Sequence, residues 1–146
     1  MQARKIKHSL PGFIQAGILA GALAAIINTV WYLYATKLLF INAPEMINMI
    51  SVVLTCLVVA VAAAVGFYFL FSRTKKPVLV FRGIVFILAI LSLFSATLGT
   101  LPDGTPAPER FHVLTMPMHI FAGIFTGYFI PKFLKKDIGA MFRQTA

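Results

Sequence analysis

The chain has 146 residues, of which 60% are hydrophobic and only 12% charged, against about half and a quarter in an ordinary soluble domain. Fourteen Phe and a mean hydropathy of +0.90 in 16.0 kDa exceed what a soluble core of this size can hide, which excludes a disordered chain and a water-soluble enzyme and leaves a membrane protein. The single Cys, Cys56, excludes an internal disulfide, a CxxC redox pair and a thiolate metal cage.

A helix that crosses about 30 Å of hydrocarbon needs roughly 20 apolar residues. Four stretches qualify: Gly12 to Tyr34, Met46 to Phe71, Val78 to Leu98 and Phe111 to Phe133. They predict an all-α polytopic membrane protein, with four transmembrane helices in an antiparallel bundle that forms one domain over residues 1–146. A β-barrel is excluded, because its strands would alternate polar and apolar residues over about ten positions, whereas these runs are apolar on nearly all sides.

The first span carries Gly17, Gly21, Ala24 and Asn28 in one row, and Gly17 to Gly21 is a GxxxG pair that lets two helix backbones approach closely. Trp31, Tyr32 and Tyr34 at its end read as an aromatic belt at the membrane interface. A cleaved signal peptide ending near Ala22-Leu23-Ala24 is rejected, since the apolar run continues to Tyr34, beyond the length of such a segment. In the second span Asn48, Ser51 and Thr55 stand at i, i+3 and i+7, with Ala62 and Gly66 continuing the row.

A basic turn follows, and the third span offers Ser92 and Ser95, with Arg82 near its start able to send its long side chain toward the headgroups. The Pro-rich connection Gly99 to Arg110 is too short for an independent fold. In the fourth span His112, Thr115, His119, Gly123 and Thr126 share one face, and Pro117 removes the hydrogen bond its N–H would have given to Val113, so a kink is expected there. Thr115, a neighbouring helix or water would then supply the freed carbonyl's donor.

Charge sets the orientation. Arg4, Lys5, Lys7, Arg73, Lys75, Lys76, Arg82, Lys132, Lys135, Lys136 and Arg143, eleven of the thirteen basic residues, fall on one side. The other side carries Lys37 and Arg110 with Glu45, Asp103 and Glu109. The positive-inside rule puts both termini in the cytoplasm, and an even number of spans agrees. The net charge of +9 is thereby a topology signal with attraction for anionic lipid, and not a nucleic-acid footprint.

With that orientation the polar span residues gather in the outer half of the bilayer and the small ones below. The expected result is a bundle packed closely at its cytoplasmic end and opening outward into a polar-lined crevice. The candidate ligand-binding residues are His119, Asn28, Ser92, Thr115, Thr55, His112 and Asn48. His119 leads them because a neutral imidazole both donates and accepts. Its structural alternative is a hydrogen bond to Asn28 or Ser92 that holds helices together. No metal site is expected, since only His112, His119 and Glu45 or Asp103 could converge. Haem is not expected either, because both outer histidines lie on one span and His8 lies on the other side of the membrane. No intramembrane carboxylate marks an ion path, and no catalytic motif is visible.

A basic start, a Gly/Ala-rich first span ending in Asn28, a basic turn, a third span with Ser92, a short outer loop, Met118-His119 and a final span ending at Pro131 resemble a family of small four-helix bacterial membrane proteins of uncharacterised activity. The resemblance implies a bacterial protein with four spans and implies that Asn28, Ser92 and His119 belong together. Two functions are expected as alternatives: an inner-membrane bundle whose outer crevice binds or passes a small ligand, or a non-catalytic subunit in which the polar cluster is interhelical glue. Membrane lipid is the expected surrounding partner, and the GxxxG surfaces suggest a homo-oligomer or a larger membrane complex.

Overall fold

A computed structural model describes residues 9–95, 97–101 and 104–144. Arg4, Lys5, Lys7, His8 and Asp103 lie outside these residues, as do the side chains of Ser95, Lys135, Lys136 and Arg143. Four helices follow in order: α1 (Leu10–Lys37), α2 (Met49–Arg73), α3 (Pro77–Ser95) and α4 (Phe111–Gln144). Among the described residues no β-strand forms beyond a single bridge between Thr100 and Pro106. All four helices are long and apolar enough to cross a membrane. In hydrocarbon a helix satisfies its own N–H and C=O groups, which is why runs this apolar fold this way.

The helices are antiparallel and α1 is the centre. It packs against α2 on one side and α4 on the other, α3 packs on α4, and among the described residues α1 and α3 do not meet. The basic end is a tight knot of rings. Phe13 of α1 meets Phe67 edge-on at 5.5 Å, Phe67 stacks on Phe81 of α3 at 4.4 Å, and all three are buried with Ile130 and Leu134 of α4. The face of α3 turned away from α4 is open, with Leu79, Phe86 and Phe94 each about two-thirds exposed, as expected of a lipid-facing helix.

Glycines set the closest approaches. A Cβ on Gly17 would lie 2.8 Å from Ala64 Cβ and 3.0 Å from the Ala60 carbonyl, and one on Gly21 would lie 3.0 Å from the Cys56 carbonyl. A second pair, Gly123 and Gly127, brings α4 onto α3, where a Cβ would meet Ala89 at 3.0 Å and Val85 at 3.3 Å. The Gly17/Gly21 surface that suggested an oligomer is therefore spent within the chain. On α2 the packed row is Val52, Cys56, Ala60, Ala64 and Phe67, whereas Ala62 and Gly66 are exposed. At 100° per residue the polar row lies roughly 120° around the helix from the packed one. Small residues, not polar ones, choose the buried face in lipid.

Two span ends also differ from expectation. Helix α2 begins at Met49 rather than Met46, because Asn48 caps it: its side chain accepts from Ser51 N at 3.0 Å while its own N–H donates to Ser51 Oγ at 2.9 Å. Helix α3 ends at Ser95, so Leu98 belongs to the connection, which turns at Gly99 with φ of +71°. Helix α4 runs on through Pro117 and Pro131 to Gln144.

Candidate functional site

In the half of the bundle away from the basic end, α2 and α4 separate above α1 and border a partly open cavity of about 680 Å³. Asn28 of α1 forms part of its wall, Ser51, Val52, Thr55, Cys56 and Val59 come from α2, and Phe111, Thr115, Met118, His119 and Ala122 come from α4. The remaining wall is Met46 and Ile47 before α2 and Leu98, Thr100 and Leu101 after α3. Leu101 is held over the space by its N–H bond to the Thr105 carbonyl at 2.8 Å and is 9% exposed.

Asn28 is only 2% exposed. Its Nδ2 donates to Cys56 Sγ at 3.2 Å, and its Oδ1 is buried without a hydrogen-bond partner. A buried amide oxygen left unpaired is costly, so such a group in a native protein calls for an explanation. Thr115 gives its hydroxyl proton to the Phe111 carbonyl at 3.1 Å, one turn back, which leaves its oxygen lone pairs available. His119 and Thr55 donate or accept no hydrogen bond among the described residues, so their polar atoms are uncommitted toward the cavity they line. No cluster of three or more His, Cys, Asp or Glu occurs among the described residues.

Four of the seven candidate residues, Asn28, Thr55, Thr115 and His119, thus share one cavity. The other three do not line it. Asn48 is the cap of α2, with Nδ2 turned to the Glu45 carbonyl at 3.3 Å. His112 is exposed and borders a separate recess of about 220 Å³ with Thr97 and Ala107. Ser92 satisfies its hydroxyl on its own helix, at the Ala89 carbonyl 2.8 Å away. The grouping of Asn28, Ser92 and His119 implied by resemblance is accordingly divided, because no described side chain of α3 contributes to this wall.

Hydrogen bonds between helices also fall elsewhere than expected. His119 bonds neither Asn28 nor Ser92, and Thr115 does not serve the Val113 carbonyl freed by Pro117. Trp31 is more than an interfacial ring, since its Nε1 donates to the Leu114 carbonyl at 2.9 Å and ties α1 to α4 beside the cavity. Cys56 is the residue that spacing did not single out. It lies off the polar row of α2, in the packed row with Val52, Ala60 and Ala64, and only the fold turns its thiol to Asn28. No family model matches the chain, and comparison with curated proteins and solved structures finds no match, so the function has to be read from these residues.

Proposed function

We propose that the protein is a multi-pass protein of a bacterial inner membrane, with both termini in the cytoplasm, whose outer-half cavity binds or passes a small ligand without catalysis. The one-sided distribution of basic residues supports the orientation. The unpaired Asn28 Oδ1, in a residue lining a cavity large enough for a small molecule, carries the binding reading. His119 and Asn28 are its hydrogen-bonding groups, and Thr55 and Thr115 flank them. Native mass spectrometry of the protein released from mild detergent tests it. A reproducible bound mass that vanishes in a folded His119→Ala variant is expected, and a bare wild-type chain would overturn the reading.

One observation favours a second reading. The Asn28–Cys56 hydrogen bond is a polar link between α1 and α2 within the bundle, as expected of a non-catalytic subunit that assembles with itself or a larger complex. On that reading His119→Ala weakens assembly or lowers thermal stability, and no bound mass is seen.

A further inference from the structure

We infer that the ligand of this cavity is a neutral, lipid-phase amphiphile bearing a free hydroxyl; this deepens the ligand-binding reading above and rests on it. Neutrality follows from the wall. Among the described residues no Asp, Glu, Lys or Arg lines the cavity, and an ionised ligand group there would find no countercharge among them. Entry from the lipid follows from exposure. Val59 and Leu98 both line the cavity while remaining 49% and 59% exposed, and no described side chain of α3 closes the wall.

The hydroxyl follows from the inventory of polar atoms. Asn28 Oδ1 can only accept, and among the residues of the wall it is the buried oxygen in need of a partner. Asn28 Nδ2 gives one of its two protons to Cys56 Sγ, and the Thr115 proton goes to Phe111. A ketone, ester or ether would leave Oδ1 unpaired. A hydroxyl donates to Oδ1 and, through its own lone pairs, accepts from the N–H of a neutral His119 imidazole. An aliphatic amine would also donate, but it would carry a charge into an uncharged site.

The test uses the full chain in phosphatidylcholine nanodiscs, whose lipid has no hydroxyl, with 1-dodecanol, its methyl ether and dodecanoate as probes. Binding is read by native mass spectrometry for the wild type, Asn28→Leu and Ala122→Phe, the last filling the cavity from α4. The expected result is one alcohol per chain, at least tenfold weaker binding of ether and carboxylate, and an Asn28→Leu variant that binds alcohol no better than ether. Equal binding of alcohol and ether to the wild type, both lost in Ala122→Phe, would overturn the hydroxyl inference and leave the cavity as a binding site. Dodecanoate bound as tightly as the alcohol would overturn neutrality. Binding of none of the probes would overturn this inference, and a bare chain in mild detergent as well would overturn the cavity reading with it.

Discussion

Arg82 Nε donates to the Gly127 carbonyl at 3.4 Å, and that carbonyl is free because the residue four positions on, Pro131, has no N–H to give it. A cation near the end of a span thereby completes the backbone of a neighbouring helix. Lys132 and Arg82 both lie within 6 Å of the Tyr128 ring, at 5.2 and 5.8 Å, which holds the two cations beside the same turn of α4. Arg82→Leu is expected to cost about 1 kcal/mol. In a Pro131→Ala background, where residue 131 again supplies the N–H, the cost should fall toward zero. Reversible unfolding of the four proteins of this cycle in detergent measures the coupling, and additive effects would count against the account.

The glycine contacts predict opposite outcomes for one substitution. Gly17→Ala places a methyl 2.8 Å from Ala64 Cβ and is expected to cost about 1–3 kcal/mol through forced separation of α1 and α2. Gly66→Ala meets nothing within 4 Å and should leave stability unchanged or raise it by up to about 1 kcal/mol. Thermal unfolding of both variants separates packing from propensity. Equal losses would mean that α1 and α2 are not in the contact described.

Much of this arrangement is legible in the sequence, for a physical reason. Length and hydropathy identify the four spans because hydrocarbon admits no other use for them, and helical spacing brings Asn28, Thr55, Thr115 and His119 to adjoining faces. The face on which α2 packs was not legible, because the eye follows its polar row. Cys56, Ala60 and Ala64 pack instead, chosen by the close approach of Gly17 and Gly21 from another helix. Ser92 misled because a Ser in a helix can satisfy itself one turn back, and Asn48 because an Asn at the start of a run is as much a cap as a site. Nothing in the spacing indicates that Pro131 frees the carbonyl that Arg82 takes.

Two orphaned oxygens predict different responses. Thr29 Oγ1 is buried without a partner and lies outside the cavity wall, so Thr29→Val should be neutral or stabilise by up to about 1 kcal/mol. Asn28→Leu removes the bond to Cys56 together with the unpaired Oδ1, two effects of opposite sign, so its stability should stay within about 1 kcal/mol of wild type. A large loss in Asn28→Leu, measured by thermal unfolding, would support the interhelical-glue reading.

Trp31→Phe keeps an aromatic ring but removes the N–H that reaches Leu114 and part of the indole's packing, so a loss of at least about 1 kcal/mol is expected. Its emission should also report the site, since Trp31 is the only Trp in the chain. Thermal unfolding checks the loss, and an unchanged midpoint would mean that α1 and α4 do not depend on this bond.

Native mass spectrometry of wild type beside the cavity-filling variant Ala122→Phe shows whether the cavity between α1, α2 and α4 holds a small ligand. A discrete bound mass is expected in the wild type and its absence in an equally folded Ala122→Phe protein. A bound mass that persists when the cavity is filled, or none in either protein, would contradict it.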